Sequence, residues 1–287
     1  MNKMRVALLL ILGVTAAYGQ ASAQGRVECS TVKSARMKAN VAFCAFLPPS
    51  YDANKAAKFP VLYLLHGLGD NHESMINTGT WNMVEQLQRQ KRIGEFVIIT
   101  PNAGRSFYLN SKNGRVPYEG FFIREFLPAM EQRFRLNAGR AGRAITGISM
   151  GGYGALRFAF KYPQLFTSVA AHSAALIERM PQGAEYAGIV NILGSAFGVP
   201  FDASFWERNT PFFYAKTFRP NGLRIYLDCG DRDDYGFDQG TRALDRLLGS
   251  RKIAHEAHIY PGNHGWAYFA EHLDESLVFQ SKALGAK

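Results

Sequence analysis

The chain has 287 residues, 47% of them hydrophobic and 20% charged, with a formal net charge of +10. That length and apolar content suit one large α/β domain and exclude a disordered or low-complexity chain. The 33 lysines and arginines are scattered rather than gathered in a stripe interleaved with aromatics, which argues against a nucleic-acid partner.

Residues 1–23 stand apart from the fold. Lys3 and Arg5 give a basic start, residues 6–14 an apolar run, and Ala21-Ser22-Ala23 an A-x-A cleavage site. This pattern is a secretory signal peptide, so the mature chain should start at Gln24 and be secreted or periplasmic. The apolar run is too short to span a bilayer, and no other stretch is longer and equally apolar, so no stable membrane insertion is expected.

The mature domain, residues 24–287, opens with two strands over 27–34 and 38–47, stopped by Pro48-Pro49. Cys29 and Cys44 are symmetric about the turn at Arg36 and Met37, so a hairpin would set them opposite each other. Spacing alone leaves a disulfide and two free buried thiols both open. Strands follow at 59–65 and 96–100, with a helical pattern at 81–92 between them. Residues 118–134 read as one amphipathic helix, with Phe122, Phe126 and Met130 four apart. A strand at 143–148, a helix to Tyr162 and a strand at 166–171 come next. Residues 176–221 are long, punctuated by Gly and Pro and rich in aromatics, and form a lid-like insertion; a segment of that length between strands is usually functional. The strand at 223–227, which Asp228 extends and Cys229 follows as a buried thiol, precedes a helix at 239–248. A last strand at 254–260 leads to a final helix ending near Ala283. Strands alternating with helices predict a mostly parallel central sheet with helices on both faces, and the N-terminal hairpin adds an antiparallel edge.

Chemistry concentrates at three strand ends, where such sheets carry their sites. Gly147-Ile148-Ser149-Met150-Gly151 is a G-x-S-x-G sequence between an apolar strand and a helix, the setting that exposes a serine hydroxyl on a tight corner. A serine needs a base, and the base needs an orienting acid. Of seven histidines, His264 lies in a glycine-flanked loop after the last strand and is the expected base. His172 directly follows a strand and could line the site, and His66 precedes Gly67 and is expected to shape the oxyanion loop. The acid lies among Asp231, Asp233 and Asp234. Asp233 is preferred, three residues after the strand-ending glycine, with Asp231 as the alternative and a solvated acidic turn expected for the others. Met150, following the nucleophile, and Leu68, in the loop after the third strand, are the expected oxyanion-hole amides. No C-x-x-C pair, H-E-x-x-H or strand-borne G-x-G-x-x-G is present, so neither metal nor cofactor is implied.

The segments Leu64-Leu65-His66-Gly67-Leu68-Gly69-Asp70, Gly147 to Leu156, Asp228-Cys229-Gly230 with Asp233, and Pro261-Gly262-Asn263-His264-Gly265-Trp266 resemble the putative-esterase family of α/β-hydrolases. That family includes S-formylglutathione hydrolases, feruloyl and acetyl-xylan esterases and mycolyltransferases. The resemblance extends over nearly the whole mature chain. It implies the α/β-hydrolase fold, a Ser149–Asp233–His264 triad, an oxyanion hole at Leu68 and Met150, and a small-molecule ester as substrate. His66, Gly67, Tyr108, His172 and Trp266 are the expected substrate-binding residues, Tyr108 within a loop similar to one lining the family's acyl site. Two positions depart from the family pattern: Asn263 replaces a frequent glycine, and Asp234 a usually apolar residue. Three functions follow from this reading: an exported carboxylesterase, an acyltransferase to an envelope sugar or lipid, and a non-catalytic binder on a hydrolase scaffold. The oligomeric state is left open.

Overall fold

The computed structural model describes residues 24–286. The expected signal peptide lies outside the described residues. Strand β1 (Arg26–Ser34) hydrogen-bonds antiparallel to β2 (Ala39–Leu47), in a register that sets Cys29 opposite Cys44. The two sulfurs are joined in a disulfide. One-turn helix α1 (Ser50–Ala53) leads into β3 (Val61–Leu65). Then come α2 (Ser74–Asn77), α3 (Thr80–Arg89) and β4 (Val97–Pro101). The eight strands lie in the order β1-β2-β4-β3-β5-β6-β7-β8, parallel from β4 onward.

The central strands are continuous apolar runs because both their faces are covered. In β3 every residue is buried, with Tyr63 and Leu65 on one face and Leu62 and Leu64 on the other. The first face packs with Ile145, Val169 and the helices that carry Phe122 and Phe158. The second packs against Trp81, Val84 and Leu87 of α3 and Leu273 and Leu277 of the last helix.

The expected single helix over 118–134 is broken into α4 (Tyr118–Phe121), a π-helical turn at Phe122–Phe126, and α5 (Leu127–Arg133). Pro128 has no N–H to give the Arg124 carbonyl one α-turn earlier, and the wider turn falls there. Phe122, Phe126 and Met130 are nonetheless all buried.

Beyond β5 (Arg143–Ile148) runs α6 (Met150–Lys161), then β6 (Ser168–His172). Residues 176–221 hold three helices, α7 (Ala184–Phe197), α8 (Ala203–Asn209) and α9 (Pro211–Ala215). Asp202 and Thr210 cap the last two through bonds to the Phe205 and Phe213 amides. β7 (Arg224–Gly230), α10 (Phe237–Ser250), β8 (Glu256–Tyr260) and α11 (Trp266–Leu284) complete the chain.

A buried ionic cluster ties these helices to α6. Arg157 pairs with Glu119 at 2.6 Å and donates to the Asn209 backbone oxygen and Oδ1. Tyr153 donates to the same Asn209 oxygen. Burial works against the Glu119 charge, but Arg157, Lys161 and the Tyr162 hydroxyl outweigh it and bring its pKa down to about 2. Its stabilisation is therefore complete above the ordinary carboxyl range and is lost as pH falls from there through about 2. Glu119→Gln strands the Arg157 charge inside the fold and should destabilise the protein by about 3–5 kcal/mol. Urea unfolding at neutral pH checks this; a loss under about 1 kcal/mol, as exposed pairs give, contradicts it.

Candidate active site

The corner between β5 and α6 holds Ser149 at φ 55° and ψ −116°. Such backbone costs on the order of 1–3 kcal/mol and persists only where its surroundings enforce it. Here Ser149 N–H donates to the His172 carbonyl, and Ser149 C=O accepts from Tyr153 and Ala175. The flanking glycines are required by contact: a Cβ on Gly147 would come within 2.2 Å of the Gly151 backbone, and one on Gly151 within 2.1 Å of the Leu65 oxygen.

Asp233 follows β7 and is buried. Its Oδ1 accepts the Tyr235 and Phe237 amides at 3.0 and 3.3 Å. Its Oδ2 lies 2.7 Å from His264 Nδ1 and also accepts the buried Cys229 thiol at 3.5 Å. Burial raises the carboxyl pKa, but His264 and the two amides outweigh it, and the pKa lies below its ordinary value. His264 Nε2 lies 2.9 Å from Ser149 Oγ. With Nδ1–H given to Asp233, Nε2 is left to accept the serine proton.

The neighbouring acids are exposed, as expected of a solvated turn, but each also holds a backbone amide. Asp231 Oδ1 accepts the Gly262 amide at 2.9 Å, and Asp234 Oδ2 accepts the His264 amide at 3.1 Å. Together they pin the loop that carries His264. Sequence alone cannot assign these partners, because the loop that meets the carboxylates lies some thirty residues further on.

Ser149 opens into a cavity of about 800 Å³. Phe107, Tyr153, Leu193, Phe197 and Trp206 form one wall, and Tyr235, Phe237, Trp266 and Phe269 the wall beside His264. Gly67, Leu68 and Met150 line it next to the serine. Met150 heads α6, where the first N–H groups have no acceptor within the helix.

Three expected substrate contacts are corrected. His66, Tyr108 and His172 are buried and do not line the cavity. His66 Nε2 accepts the Ala103 amide at 2.9 Å, which leaves Nδ1–H to donate to the Gly67 oxygen at 2.8 Å. The peptide group is planar and trans, so holding the Gly67 carbonyl also turns the Leu68 N–H away from the imidazole. Tyr108 donates to the His66 carbonyl at 2.9 Å and braces the same loop. His172 sits between Asp228 Oδ2 at 2.7 Å and Ser276 Oγ at 2.8 Å. These are the residue types of a triad, but all three are fully buried and no substrate reaches them.

Sequence reasoning missed Tyr235 and Phe237, whose rings lie 4.8 and 5.4 Å from the His264 ring. Their signal was a pair of aromatics two and four residues after the acid. Among the described residues, no group of three His, Cys, Asp or Glu is placed to hold a metal ion.

Strand order, elbow and the loops that follow β7 and β8 define an α/β-hydrolase. The sequence model described as "Putative esterase" matches residues 34–279, and the chain belongs to that family. An esterase of Mycobacterium tuberculosis is 31% identical over 240 residues, which are 76% of this chain and 51% of that protein. This chain thus spans about half the length of the mycobacterial relatives it matches. An acetyl esterase of Caldicellulosiruptor saccharolyticus is 26% identical over 267 residues, 87% of this chain and 96% of the relative. Among solved structures, a ferulic acid esterase superimposes with a TM-score of 0.78 at 27% identity, covering 91% of this chain and 99% of the other. An S-formylglutathione hydrolase from Agrobacterium tumefaciens shares the fold, with a TM-score of 0.74 at 20% identity over 93% and 98% of the two chains.

Proposed function

We propose that this protein is an exported serine carboxylesterase that hydrolyses acyl esters through an acyl-enzyme intermediate. The observation that carries the reading is the continuous chain Asp233 Oδ2, His264, Ser149 Oγ, with links of 2.7 and 2.9 Å, opening on an apolar cavity. His264 Nε2 takes the proton as Ser149 Oγ attacks the ester carbonyl, and Asp233 stabilises the imidazolium that forms. The Leu68 and Met150 amides receive the oxyanion. His264 then gives its proton to the leaving alcohol. A water, deprotonated in turn by His264, attacks the acyl-serine carbonyl; the bond to Ser149 Oγ breaks, His264 returns the proton to that oxygen, and the acid is released. The family and the names of the relatives support ester chemistry. Export is supported by the N-terminal sequence pattern and by the Cys29–Cys44 disulfide, a bond at home in oxidising compartments.

The experiment is a panel of p-nitrophenyl esters incubated with the mature protein, where saturable turnover is expected and its absence across the panel rejects the reading. The wall contributed by residues 176–221 should set acyl-chain preference, because Ile189, Ile192 and Leu193 of α7 line the cavity. Ile189→Ala and Ile192→Ala should lower kcat/KM for long relative to short acyl esters by about 1–3 kcal/mol per lost contact at most. If every ester in a chain-length series falls by one common factor, specificity lies elsewhere.

A further inference from the structure

The protein carries a formal net charge of +10, yet among the described residues no lysine or arginine lines the cavity. Apart from His264, its charged lining residues are Asp70 and Asp234. They flank Ser149 from opposite loops: Asp70 follows Gly67 and Leu68, and Asp234 holds the His264 amide through Oδ2. In the neighbouring loop Arg232 pairs with Asp231 and His264 is held by Asp233, whereas Asp234 meets no cation within 4 Å among the described residues. The buried Arg157, behind Tyr153, is already committed to Glu119.

On the basis of the esterase reading, we infer that Asp70 and Asp234 are specificity-determining residues that exclude anionic esters. The substrates are then esters whose acyl and alcohol parts are uncharged or cationic. An anionic ester would bring its charge into a largely apolar cavity that holds two carboxylates and, among the described residues, no lysine or arginine to receive it. The same field acts on the product. Hydrolysis turns a neutral acyl group into a carboxylate, which is repelled from the site in which it forms. This preference opposes the net charge of the molecule, whose long-range field attracts anions.

The test compares kcat/KM for three p-nitrophenyl esters of similar length: the valerate, the anionic hemiglutarate and the cationic 4-(trimethylammonio)butyrate. Each is normalised to its rate of hydrolysis by hydroxide. Wild type should favour the neutral and cationic esters over the anion. Asp70→Asn and Asp234→Asn should each raise the anion-to-neutral ratio about fivefold, the size expected of unit charges about 8 Å apart at an effective dielectric of about 40. Asparagine at 234 keeps an oxygen for the His264 amide. Asp245→Asn, which makes an equal charge change on the outer face of α10, should leave the ratio unmoved. An unchanged ratio in both cavity variants, or an equal rise in Asp245→Asn, overturns the inference while turnover of the valerate leaves the esterase reading standing. No turnover of any ester overturns both.

Discussion

Ser149→Ala should lower kcat for ester hydrolysis by on the order of 10⁴-fold or more, with the melting temperature unchanged. The substitution removes a hydroxyl whose one side-chain partner is His264 Nε2. It leaves the backbone bonds of the corner, to His172, Tyr153 and Ala175, in place. The residual rate would come from the oxyanion amides and the cavity alone. Steady-state kinetics on a short p-nitrophenyl ester, paired with a thermal melt, checks this. Activity within tenfold of wild type would show that Ser149 is not the nucleophile.

Asp233→Asn should cost nearly as much, on the order of 10⁴-fold in kcat. The carboxylate holds His264 in the tautomer that leaves Nε2 free, and it carries the countercharge for the imidazolium. Asparagine supplies no negative charge and can present an N–H where the histidine needs an acceptor. Asp231→Asn and Asp234→Asn should be far milder, because their carboxylates hold backbone amides of the histidine loop, which an amide oxygen also accepts, and the Asp231–Arg232 pair is exposed. Comparing kcat for the three variants decides among the acids. If Asp231→Asn is the crippling change, the acid is misassigned although the mechanism survives.

Much of the fold was legible in the sequence because its central strands are buried on both faces and therefore read as unbroken apolar runs, as in 61–65 and 97–101. The hairpin was legible from two strand patterns on either side of a short turn, and the pairing of β1 with β2 sets Cys29 opposite Cys44, as their symmetry about that turn requires. Ser149 and His264 stood out because each sits in a glycine-bounded turn after a strand, and the structure brings them within a hydrogen bond. Less was legible where the answer depends on a distant partner. His172 ends a strand just as a site residue would, but its ring is buried beside Asp228 and hydrogen-bonds to Ser276, which lies 104 residues away. The break at the π turn depends on one missing N–H inside an otherwise regular pattern. The helices of 176–221 were hidden because α7 is apolar on much of its surface and interrupted by Gly188 and Gly194, so it lacks the polar face that marks an amphipathic helix.

The central claim is that Ser149 is an activated nucleophile, and the most direct measurement is covalent capture. The mature protein is treated with a fluorophosphonate probe, digested and mapped by mass spectrometry, with Ser149→Ala and His264→Ala treated in parallel. The account predicts one stoichiometric adduct on the peptide carrying Ser149, absent in the first variant, strongly slowed in the second, and formed in step with the loss of ester turnover. An adduct on another serine, or full esterase activity in protein labelled at Ser149, would contradict it.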